Sequence, residues 1–123
     1  LAIVRMEDLG IRTNGYYATA IAGEECDACV IIHGNTGTSF GARTGYPVSA
    51  SFYTNSFLHP KGGIFDLIDM ATLFDRDGGG HANACGCRII PLNDGKIVNR
   101  VVIKSDIDEN ISYWQKIWDS RML

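Results

Sequence analysis

The run Gly78-Gly79-Gly80-His81-Ala82-Asn83-Ala84-Cys85-Gly86 places three positions without side chains directly before an imidazole. Adjacent glycines lose much backbone entropy on ordering, so a folded chain keeps them where the backbone must bend sharply or approach something closely. Amide groups in such a loop can converge on an anion, and His81 can add a side-chain donor to a phosphate oxygen. The small residues Ala82, Ala84 and Gly86 leave room beside it, and Asn83 offers a further polar contact. A glycine run after a helix also serves as a plain C-cap and turn, so the chemistry depends on what positions it.

The cysteines form two close pairs, Cys26-x-x-Cys29 and Cys85-x-Cys87, a spacing that a tetrahedral four-thiolate zinc site could use. Against that, Cys29 leads into a buried strand run, and Cys85 and Cys87 alternate onto one face of a single strand. Cysteine packs as a small apolar residue in cores, so these thiols are expected to be reduced and packed, with no metal assigned to the chain. His33 and His59 carry no partner pattern and are expected to be structural or exposed.

The elements that must hold the glycine run are read from periodicity. Residues 1–6 suit a strand and residues 15–22 a short helix. Residues 28–33 contain Val30, Ile31 and Ile32 in unbroken succession, which suits a central strand covered on both faces. Gly and Asn in residues 33–38 favour a tight turn, and residues 39–43 are expected to return antiparallel. Residues 44–63 mix Pro, Ser, Asn and Gly with Tyr46, Phe52, Tyr53, Phe57 and His59, and are expected to form a long irregular connection. Its aromatic side chains are expected to act as a lid over the protein's own core, with stacking on a base as the other possibility.

Ile64, Leu67, Ile68 and Ala71, extended by Leu73 and Phe74, predict a helix of about three turns that the glycines end. A strand over residues 85–90, a turn at Asn93-Asp94-Gly95 and a partner strand over residues 96–104 follow. Asp106 with Glu109 three residues later resembles a capping box, and Ile107, Ile111, Trp114 and Trp118 share one face of a final helix. The expected fold class is α/β, a mixed sheet of about five strands with helices packed on it, in the order β-α-β-β-α-β-β-α.

At 123 residues with 46% hydrophobic content, the chain fits one domain with one core, spanning residues 1–123. It opens on Leu1 within a core-like stretch, which suggests a piece of a longer protein. No apolar run reaches the roughly 18 residues that span a bilayer, so a cytoplasmic location without membrane contact is expected. With 11 basic against 14 acidic residues, net charge −3, and no basic run, recognition of a phosphate must be local.

The Gly-Gly-Gly-His run, followed by small residues and Gly86 after an apolar helix, resembles the signature of the DHH-associated C-terminal domain of the DHH-family phosphoesterases. Ser39-Phe40-Gly41-Ala42-Arg43-Thr44 is similar to the family's Ser-x-Arg-Ser strand, and residues 65–74 to its helix before the glycines. The family includes single-strand exonucleases, oligoribonucleases, cyclic-dinucleotide phosphodiesterases and exopolyphosphatase-like proteins. The resemblance implies a substrate-binding role for Arg43, Gly78, Gly79, Gly80, His81 and Asn83, and no catalytic residue in this chain. An arginine at a strand end suits that role, because its planar fork pairs with phosphate oxygens.

The resemblance also implies that hydrolysis belongs to a preceding DHH domain carrying manganese, which would be a partner in the same protein. The substrate would be a phosphate-containing small molecule or a short single-stranded oligonucleotide, and a homodimer is an open possibility. Where the family often carries a fourth glycine before its histidine, this chain has Asp77, whose carboxylate repels phosphate unless Arg76 or a metal compensates it. That residue motivates an alternative, a regulatory nucleotide-binding or protein-interaction domain, with a zinc-stabilised module as a further one.

Overall fold

The computed structural model describes residues 1–7, 26–33, 48–62 and 65–121. Its strands are β1 (Ala2–Met6), β2 (Ala28–His33), β3 (Ser49–Thr54), β4 (Gly79–His81), β5 (Ala84–Arg88), β6 (Leu92–Asn93) and β7 (Lys96–Ile97). Two helices accompany them, α1 (Ile68–Ala71) and α2 (Lys104–Ser120). Five strands form one sheet in the order β1-β2-β3-β5-β4, and β6 and β7 form a separate hairpin. β1 runs parallel to β2, while β2–β3, β3–β5 and β4–β5 are antiparallel, so the sheet is mixed and the fold class is α/β.

The unbroken Val30-Ile31-Ile32 run lies inside the sheet, with β2 buried at every residue. One face packs Val30, Ile32, Ala50 and Phe52 against α1 and α2. The spacing in α2 brings Ile107, Trp114 and Trp118 to that face, and Trp114 meets Phe52 edge-on at 4.9 Å between ring centroids. On the other face Cys29 and Ile31 form a smaller cluster with Ala2, Val4, Met6 and Tyr53. Among the described residues, no helix is long and apolar enough to cross a membrane.

Several expectations about element bounds are corrected. The stretch read as one irregular connection, residues 44–63, contains β3, which takes the antiparallel place beside β2. Ser49-Ala50-Ser51-Phe52 alternates small polar with apolar residues, the pattern of a strand buried on one face, and its Ser and Tyr content hid that signal. The three-turn helix expected from Ile64 is reduced to α1. Leu67, Met70 and Ala71 are buried as the period requires, but Leu73 is 40% exposed and the chain turns toward β5 through Asp75.

Asp94 and Gly95 both take positive φ, 50° and 79°, and close the β6–β7 hairpin as a type I′ turn does. Its second strand ends at Ile97, because Arg100 is drawn to Asp106 by two hydrogen bonds of 2.7 and 2.8 Å. Asp106 is not the cap itself: α2 starts at Lys104, and Asp106 accepts the N–H of Ile103 at 2.8 Å from within the first turn. Glu109, expected to complete that cap, accepts the N–H of Gly95 at 2.8 Å instead. The expected helix at residues 15–22 and strand at residues 39–43 lie outside the described residues.

Candidate functional site

The glycine run is not a loop. Gly79, Gly80 and His81 form β4, the last strand of the sheet, joined to β5 by the two-residue turn Ala82-Asn83. Gly79 and Gly80 have φ of 150° and 136°, conformations that side chains rarely adopt, which is the physical reason for glycine at both positions. A Cβ at Gly80 would lie 2.9 Å from the carbonyl oxygen of Ala84, whereas one at Gly79 would meet nothing within 4 Å. At Gly78 the constraint is packing, since a Cβ there would fall 2.4 Å from the carbonyl oxygen of Ala71; glycine permits the close approach of β4 to α1.

The turn is fixed from three sides. Leu67 donates its N–H to the Ala82 carbonyl at 3.0 Å, and Thr54 donates its N–H to the Asn83 carbonyl at 3.0 Å. The Thr54 hydroxyl donates to Asn83 Oδ1 at 3.0 Å, and the Asn83 N–H donates to His81 Nδ1 at 3.2 Å. In a neutral imidazole that accepts at Nδ1, the proton sits on Nε2, so exposed His81 presents an N–H donor to solvent. His81 and Ala84 close the hairpin, and alternation along the antiparallel pair then turns the N–H and C=O of Gly80 to the outer edge. There they have no strand partner among the described residues.

Register places the neighbours of this strand. Tyr53, Ala84 and His81 form one row across β3, β5 and β4, and Ser51, Gly86 and Gly79 form the next. Ser49 and Arg88 form a third, beside His33 of β2. Buried His33 meets the Ser51 hydroxyl at 2.9 Å through Nε2, and His59 pairs with Asp27 at 2.8 Å. Both hold structure, as expected for histidines without a motif.

Arg88 was not anticipated, although Gly86 and Arg88 alternate with the two cysteines of β5 and had to share a face. Its guanidinium binds buried Asp75 through Nη2 at 2.7 Å and Nε at 3.1 Å, and reaches exposed Asp77 at 3.2 Å. The Arg88 hydrogen bonds hold the Asp75 carboxyl at about 2, well below the usual range. Arg88 stands beside Asp77 in the place expected of Arg76 or a metal, but its single charge is shared with Asp75. A cavity of about 530 Å³ opens here, lined by Ser49, Ser51, Asp75, Asp77, Gly86 and Arg88. With two carboxylates on one guanidinium it suits an anion poorly. His81 pairs with Ala84, four residues or about 13 Å along β5 from Arg88 at the rise of a strand.

The cysteines do not converge. Cys29 faces the side of Tyr53, while Cys85 pairs with Phe52 and faces the main core with Cys87. Burial pushes the Cys29 thiol up to about 11 and those of Cys85 and Cys87 up to about 12, so all three are protonated at neutral pH. Among the described residues, no group of three or more His, Cys, Asp or Glu side chains is placed to hold a metal ion.

Of the expected site residues, Gly79, Gly80, His81 and Asn83 come together on one hairpin, Gly78 adjoins it as a packing residue, and Arg43 lies outside the described residues. Asn83 shapes the turn and orients His81 from its backbone. No family model, curated protein or solved structure matches this chain.

Proposed function

We propose that this chain is the substrate-binding domain of a DHH-family phosphoesterase, holding the phosphate of a nucleotide or short oligonucleotide. Cleavage would belong to a manganese-bearing DHH domain outside this chain. The observation that carries the reading is the conformation of β4. Gly79 and Gly80, at φ 150° and 136°, lead into exposed His81, whose Nδ1 is engaged by the Asn83 N–H and whose Nε2–H is left to donate. An outward Gly80 amide and an imidazole N–H, on an edge that no other strand among the described residues pairs with, are the donors that phosphate oxygens need. Arg43 belongs to the proposal on the strength of the resemblance alone.

The regulatory alternative drew on repulsion between Asp77 and a phosphate. The ion pair from Arg88 to Asp77 at 3.2 Å offsets only part of that repulsion, because Arg88 is shared with Asp75; the hydrolytic reading rests on the resemblance and on the donors of β4.

The test is binding of a 5′-phosphorylated diadenylate by the natural full-length protein with its metal removed, so that affinity is read without cleavage. His81→Ala is expected to weaken binding about tenfold or more, the loss of one hydrogen bond to a charged group. Equal affinity in the parent and the variant would sink the reading. This chain alone, supplied with manganese, is expected to hydrolyse nothing.

A further inference from the structure

Beside the phosphate edge lies a floor without side chains of any size. Ala84 separates Tyr53 from His81 in one row, and Gly86 and Gly79 follow Ser51 in the next. The position above Gly79 is open to at least 4 Å, and Ala84 is exposed. Tyr53 borders this floor on the side away from β4. It is half-buried and braced against Cys29 and Ile31, so its ring is held rather than free to swing into solvent. Two inter-strand steps, about 10 Å, separate the His81 and Tyr53 positions. A single nucleotide covers that span from its phosphate to its base.

We infer that Tyr53 is a base-stacking residue, and that the ligand of this face is a nucleobase-bearing phosphoester rather than a bare polyphosphate. The inference rests on the phosphate reading of β4 and adds the residue that meets the base. With phosphate oxygens on Gly80 and His81, the sugar crosses Ala84 and Gly86, where a larger side chain would block it. The base then reaches the Tyr53 ring, and stacking there tolerates any base because every base has a π-face. Polyphosphate has nothing to place on that ring and would use the edge of β4 alone.

The test compares two probes on the full-length protein with metal removed, 5′-phosphorylated diadenylate and inorganic tripolyphosphate. Tyr53→Leu keeps apolar bulk against Cys29 and Ile31 while removing the π-face, and Tyr53→Phe keeps both. The expected result is about a tenfold or greater loss for diadenylate in Tyr53→Leu, no loss in Tyr53→Phe, and unchanged tripolyphosphate binding in each. Unchanged diadenylate binding in Tyr53→Leu overturns the inference, as does an equal loss for both probes, which would mark a structural role. His81→Ala separates the two readings. If it weakens both probes while Tyr53→Leu weakens neither, only the stacking fails; if it weakens neither probe, the phosphate edge fails as well.

Discussion

At Gly80 two demands coincide, a φ of 136° and a carbonyl oxygen 2.9 Å from where a Cβ would stand. Gly79 carries only the first demand, since the space beside it is empty. Gly80→Ala is therefore expected to cost about 2–3 kcal/mol and Gly79→Ala less, read as urea midpoints of the two variants. A reversed order would mean that β4 is not held in this register. Asp75 makes the residue scale visible in pH. Its carboxyl is held at about 2 by Arg88, below the ordinary value near 3.9, so its contribution is complete above about pH 4 and disappears as pH falls through about 2. Asp75→Asn is expected to lose about 1–3 kcal/mol at pH 7. The gap between parent and variant should shrink steadily in denaturation curves taken from about pH 5 down to about pH 2. A gap that ignores pH would assign the loss to geometry and not to charge.

At the scale of elements, α2 is joined to the β6–β7 hairpin by one buried carboxylate. Asp106 accepts from Leu92 N–H at 3.1 Å, from Ile103 N–H at 2.8 Å and from both Nη atoms of Arg100. Burial alone would push its pKa up, and the Arg100 and backbone hydrogen bonds outweigh that to leave it lowered. Asp106→Ala leaves all of those donors without their acceptor, and a loss of about 3 kcal/mol is expected. Amide exchange at Leu92 and Ile103 should accelerate before exchange in β2 does, which distinguishes loss of this junction from general unfolding. The sequence made α2 legible because apolar residues at helical spacing have no other way to share a face. It concealed β3, because Ser49, Ser51 and Tyr53 line a face that no helix among the described residues covers, and their polarity reads as loop.

For the whole molecule, charge constrains what the proposed site can do. Net charge is −3, and Asp75 and Asp77 line the cavity at Gly86, the partner of Gly79 in β4, so binding should rest on one or two phosphate contacts. The dependence of log K on log salt for a short single strand is then expected to have a slope of about −1, from roughly 0.7 per neutralised phosphate. Fluorescence anisotropy across about 50 to 200 mM salt measures it. A slope steeper than about −4 would require a basic groove, which the composition does not supply.

The amino-acid order by itself determined the fold class, the fully buried β2, the amphipathic face of α2 and the special status of the glycine-histidine run. Each follows from local chemistry: unbroken β-branched residues, helical spacing of apolar ones, and the conformational freedom of residues without Cβ. Only the tertiary structure decided that the glycines form the outermost strand among the described residues, that Asp77 shares Arg88 with Asp75, and that Tyr53 shares a row with His81. Those facts depend on which strands pair and in what register, and pairing is set by the joint burial of β2, β3 and β5 against both helices, a many-body outcome that no window of the chain contains.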